Sequence, residues 1–135
     1  MMAAPVTGAA FPMATRSGQR IAEAIREACL SYPDTREDHP WGESAFKVKG
    51  KTFVFMGQGE AGVSFSVKLD GSRDLALALA GSEPTHYGLG RKGWVTVRPT
   101  ARTSLDVVRF LIDESFRAIA PRRVVQQLGD PPPLP

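Results

Sequence analysis

An α+β domain, with an antiparallel sheet of about five strands packed on one face by N- and C-terminal helices, is what this sequence predicts. Apolar residues recur at helical spacing near each end of the chain and alternate at period two through its middle. At 135 residues the chain suits one domain, large enough to bury a continuous core without a disulfide or a metal to hold it.

Ile21, Ala24, Ile25, Ala28 and Cys29 form one stripe of a helix from about Ser17 to Ser31, stopped by Pro33. Two strands follow, Phe46–Lys49 and Thr52–Met56, joined by a two-residue turn at Lys49 and Gly50. That turn sets Val48 opposite Lys51, Lys47 opposite Thr52 and Phe46 opposite Phe53, so two aromatics meet on one face. Val63, Phe65, Val67 and Leu69 alternate with Ser64, Ser66 and Lys68, the pattern of a strand with one dry and one wet face.

A short helix comes next, capped by Asp70 or Ser72, with Leu75, Ala78 and Leu79 on one face and a left-handed Gly81 after it. The loop Ser82–Gly93 leads to a strand, Trp94–Arg98, which Pro99 ends. The last long helix starts at Thr103 or Ser104, with Asp106 near a capping box, and buries Leu105, Val108, Leu111, Ile112 and Ile119. Pro121 closes it and opens a final turn of helix to Leu128, since proline is tolerated in a first turn. Phe46, Phe53, Phe65, Val67, Leu111 and Ile112 are expected to share one core.

Three parts result: a flexible tail at 1–16, a single domain at 17–128 and a Pro-rich tail, GDPPPLP, at 129–135. The N-terminal stretch has no basic segment ahead of an apolar run, and no stretch reaches the ~18 apolar residues of a membrane span. A single cysteine excludes an internal disulfide, so a reducing cytoplasm is the expected setting.

Charge is unevenly spread. Net charge is −2 over residues 1–44, +5 over 45–102 and zero over 103–135, so the positive excess lies in the segment that holds most of the sheet. That distribution suits an anionic partner.

Two stretches, Gly57–Gly62 (GQGEAG) and Gly88–Gly93 (GLGRKG), match G-x-G-x-x-G. The chemistry of that motif needs a following helix that aims its amides at a pyrophosphate, and a strand follows each here. They read as a flexible hairpin loop and a solvated loop, with Arg91 and Lys92 of the second able to touch phosphate. His39 and His86 are the only histidines, Cys29 lies on an apolar helix face, and no pair has ligand spacing, so neither a metal nor a cofactor is expected. The acidic cluster Asp34, Glu37, Asp38 and Glu43 reads as a solvated loop.

The stretch PDTREDHPWGESAFKVKGKTF (33–53), the Tyr87-to-Trp94 spacing and the ending APRRVVQQL (120–128) resemble the MmcQ/YjbR family across residues 17–128. The resemblance implies a frataxin-like or CyaY-like fold in a double-wing arrangement and a DNA-binding role. The frataxin analogy also suggests iron, but the first helix mixes Glu23 and Glu27 with Arg20 and Arg26 and has no acidic ridge.

A DNA-binding reading uses Lys47, Lys68 and Arg98 on the wet sheet face, Lys49 at a hairpin tip, and Arg91 and Lys92 on the glycine-rich loop. Such residues neutralise phosphates without reading bases. Lys51 is expected at the rim, with its stem packed. Nothing resembles a recognition helix, because the last helix sets Arg109 and Arg117 beside Asp106, Asp113 and Glu114. Weak, sequence-tolerant binding to the DNA backbone follows. The alternative is a protein- or small-ligand-binding module with a groove near Trp41, Tyr87 and Trp94. An enzyme stands third, since no nucleophile, base and orienter set is readable from spacing.

Overall fold

Ile21, Ala22, Ile25 and Cys29 turn one face of the first helix, α1 (Arg16–Leu30), into the core. The computed structural model describes residues 16–39, 43–59 and 62–135. Expectations for the N-terminal tail and for Trp41 lie outside the described residues, apart from Arg16, which begins α1.

Six strands follow α1: β1 (Thr35–Asp38), β2 (Ser44–Val48), β3 (Lys51–Gly59), β4 (Gly62–Lys68), β5 (Glu83–Pro84) and β6 (Trp94–Val97). They form one antiparallel sheet in the order β1-β2-β3-β4-β6-β5. A short helix, α2 (Arg73–Leu77), lies between β4 and β5, and the chain closes with α3 (Leu105–Ile119) and α4 (Arg122–Val125). The α+β class is as expected. Phe46, Phe53, Phe65, Val67, Leu111 and Ile112 share one core, joined by Phe116 and, from α2 and α4, by Ala76 and Val124. Among the described residues no helix is long and apolar enough to cross a membrane.

The β2–β3 hairpin turns at Lys49 (φ 50°) and Gly50 (φ 82°), two consecutive left-handed residues that match the strand twist. Val48 faces Lys51 and Lys47 faces Thr52 as expected, but Phe46 then pairs with Val54 and not with Phe53. Phe53 is the extra residue of a β-bulge, which changes the phase of the strand after it. Phe53, Val54 and Met56 are all buried in the core, while Phe55 turns to the opposite face. Phe53 meets Phe116 edge-on at 5.0 Å, and Phe116 stacks on Tyr32 at 4.3 Å. The Tyr32 hydroxyl donates to Asp113 at 2.7 Å, and Asp113 accepts from Arg117 at 2.7 Å. Burial, and then the Asp113 carboxylate, push the Tyr32 phenol well above its ordinary range.

Several local expectations are corrected. Residues 35–38, expected as an acidic loop, form β1: Glu37 pairs with Arg26 of α1 at 2.9 Å and accepts from Ser44 at 2.6 Å. The strands flanking the first glycine-rich stretch extend until Gly59 pairs with Gly62, so most of that stretch is sheet and not loop. In α2 the buried residue is Ala76, with Leu75 and Ala78 exposed, because the helix is only five residues long. The Ser72 hydroxyl does not cap α2. It donates to Glu114 of α3, which also accepts from the amides of Asp70 and Ser72.

The second glycine-rich stretch is likewise ordered. It contains a 3-10 turn, Leu89–Lys92, and ends at Gly93 (φ 94°), whose carbonyl accepts from the Leu69 amide at 2.9 Å. Ser104 caps α3 by accepting from the Asp106 amide, and Pro121 precedes α4 as expected. Beyond it, the Gly129 carbonyl accepts from Arg117, and Pro132 lines a groove between α1 and α3.

Candidate functional site

Alternation along the strands sorts the sheet into two faces. Phe46, Val54, Val67 and Val95 face one another across adjacent strands in the core beneath α1 and α3. Their neighbours therefore point the other way, which makes the outer face the candidate site. One row across it reads Asp38, Ala45, Phe55, Ser66, Thr96 and Glu83. A second sets Arg36 opposite Lys47 and Lys47 opposite Thr52, and further along sets Lys68 opposite Trp94.

The first row is drier than the alternation implies. Ala45, Ser66 and Thr96 are buried, which corrects the expectation of a wet Ser66. Burial of the hydroxyls is offset by a chain of hydrogen bonds, Ser66 to Thr96 at 2.8 Å and Thr96 to Thr85 at 3.0 Å. Phe55 packs on Trp94 at 5.5 Å. Phe55 thus stands between the small, buried Ala45 and Ser66 in this row, and the Glu43 carboxylate lies beside Gly57 further along β3.

The second row carries the charge. Lys47 pairs with Asp38 at 3.1 Å, and Lys49 lies 3.7 Å from Asp34 at the hairpin. The Lys47 ammonium, the His39 amide and the neighbouring Arg36 together hold the Asp38 carboxyl below the usual range. Lys68, Arg91 and Lys92 have no carboxylate partner among the described residues. Arg91 and Lys92 are exposed on the 3-10 turn, which joins Trp94 through Gly93 and so adjoins the Lys68 end of the row.

Five of the six expected basic residues thus lie toward one end of the sheet, Lys47 and Lys68 on its outer face, Lys49 at the hairpin, and Arg91 and Lys92 on the turn beside it. Arg98 does not join them. It lies past the far end of β6, bound to Glu83 at 2.6 Å and to the Gly81 carbonyl at 3.0 Å. Lys51 is exposed at the start of β3, opposite the buried Val48. Arg36, which sequence reasoning passed over, completes the row from β1; its position was hidden because TRED has no apolar residue to mark a strand.

Tyr87 and Trp94 do not form a shared aromatic site among the described residues. Trp94 is buried against Phe55, while Tyr87 is fully exposed with only His86 beside its ring. No group of three potential metal ligands occurs among the described residues, and Glu37 and Asp38 of the acidic cluster are committed to cations. Cys29 is buried, and burial raises its thiol well above the ordinary range, the setting of a packed core side chain.

The fold has a counterpart in the crystal structure of a Deinococcus radiodurans protein of the DUF419 domain family. The two superpose with a TM-score of 0.61 at 23% identity, over 72% of this chain and 76% of that one, a likeness that speaks for the fold. No curated protein matches the sequence. The family model described as YjbR matches residues 30–118. That span runs from the end of α1, through the whole sheet with its bulge and basic row, almost to the end of α3, and so this chain belongs to the YjbR family.

Proposed function

We propose that this protein is a sequence-tolerant DNA-binding module that holds the phosphate backbone against the outer face of its sheet. The observation that supports the reading is the basic row: Arg36, Lys47 and Lys68 on three strands, continued by Lys49 at the hairpin and by Arg91 and Lys92 on the 3-10 turn. The ion pairs of Lys47 and Lys49 are surface pairs worth ~0–1 kcal/mol, so exchanging a carboxylate for a phosphate costs little. Among the described residues no helix projects from this face to enter a groove, which fits backbone contact without base readout. A cytoplasmic setting belongs to the same proposal.

Fluorescence anisotropy with a short labelled duplex at graded salt tests it. Affinity should fall with salt, with a log-log slope of about −0.9 per phosphate neutralised, and unrelated sequences should bind alike. Replacing Lys47 and Lys68 together by Ala should flatten the slope by up to about two units. Replacing Arg122 and Arg123, two exposed cations of α4 away from this face, makes the same change in net charge and should not. No measurable binding at ~50 mM salt, or an equal loss from the α4 pair, overturns the reading.

A further inference from the structure

Tyr87 is fully exposed, and its backbone has φ 63°, a left-handed conformation uncommon for a bulky residue. The turn that carries it is not loose. The Thr85 amide donates to the Trp94 carbonyl at 3.1 Å, and the Gly90 amide donates to the Thr85 carbonyl at 2.9 Å. Gly90 lies so close to Pro84 and Thr85 that a Cβ on it would come within 2.8 Å of the Pro84 side chain. A braced turn therefore holds a large ring in solvent, in a backbone conformation that costs stability, where the ring contributes nothing to the core.

The surroundings indicate what such a ring meets. Arg91 and Lys92 follow on the 3-10 turn, both exposed and without a carboxylate partner among the described residues. Glu83, which also lies 3.7 Å from His86, is committed to Arg98. An exposed π-face with two exposed cations following it on the same braced turn matches an unpaired base and its flanking phosphates. Bases inside a duplex present no free face to a ring at this position.

We propose that Tyr87 stacks on an unpaired base of single-stranded nucleic acid while Arg91 and Lys92 contact the adjacent phosphates. This rests on the DNA-binding reading and extends it to strands whose bases are open.

The test compares a 12-nucleotide single strand, carrying one 2-aminopurine, with the matching duplex at ~50 mM salt. Tyr87→Gly removes the ring and suits the left-handed backbone, so the variant should melt no lower than wild type. It should bind the single strand roughly 5- to 150-fold more weakly, the loss of one stacked base, while duplex affinity stays within about twofold. Tyr87→Phe should retain both the affinity and the quenching of 2-aminopurine. Unchanged single-strand affinity in Tyr87→Gly, in a protein that still binds duplex with the expected salt slope, overturns this inference alone. Binding to neither strand form overturns both readings.

Discussion

The hydroxyl of Ser115, on α3, donates to the carbonyl of Phe53, on β3, from 62 residues away in the sequence. The same oxygen accepts from the Lys68 amide at 2.8 Å on the neighbouring strand. The β3–β4 ladder ends at Val54 and Val67, and at the next position one fully buried side chain links Phe53 to Lys68 in place of a direct strand-to-strand bond.

Ser115→Ala should therefore destabilise the protein by about 1–3 kcal/mol, because it orphans a buried carbonyl and an amide together. Urea denaturation followed by circular dichroism reads this as a lower midpoint at constant slope. A change below about 0.5 kcal/mol would mean that the gap closes without the hydroxyl.

Phe116 joins Tyr32 to Phe53 in one aromatic group and is fully buried. Truncation to Ala should cost about 3–5 kcal/mol. It should also shift the near-ultraviolet dichroism of Tyr32, which loses its stacking partner.

Two glycines with positive φ should respond differently to Ala. At Gly93 (φ 94°) a Cβ would come within 2.7 Å of the Leu69 carbonyl, so strain is added to a backbone clash. At Gly50 (φ 82°) nothing lies within 4 Å. Gly50→Ala should cost about 1 kcal/mol through backbone conformation alone. Gly93→Ala should cost clearly more, and thermal melts of the two variants side by side give the order.

Acid should weaken the fold through Glu37 and Glu114. Arg26 donates to Glu37 and holds its carboxyl below the 4.5 of a free glutamate. Burial raises that of Glu114, but the Ser72 hydroxyl and the amides of Ser72, Asp70 and Gly71 outweigh it and hold it low. A carboxyl with a depressed folded value contributes stability that is complete above the unfolded value and lost as pH falls through the folded one. Urea midpoints should thus hold near neutrality and drop below about pH 4.5, with a shallower drop in Glu114→Gln.

Much of the fold is legible in the sequence because its signals are local. The Ile21/Ile25/Cys29 stripe, the alternation of Val63, Phe65 and Val67, and the Lys49-Gly50 turn each need only near neighbours. What escaped depends on distant partners. β1 has no apolar residue and is a strand because Glu37 finds Arg26 and because β2 offers its backbone. The bulge at Phe53 answers to Ser115, and no window around Phe53 contains that residue. The site divides the same way: alternation alone turns Lys47 and Lys68 outward, whereas Arg36 beside Lys47, and Asp38 and Glu83 as counter-charges, became visible only with β1 and β5 in place.

The outermost strands of the sheet set how this protein meets copies of itself. A free strand margin is a template onto which another chain can pair and start an aggregate. On one side that margin is β1, four residues long, with Arg36 and Asp38 along it. On the other it is β5, only two residues long, and one of them is Pro84, which has no amide to donate. Neither margin offers a long, flat row of unpaired backbone groups, so both ends of the sheet disfavour growth from chain to chain.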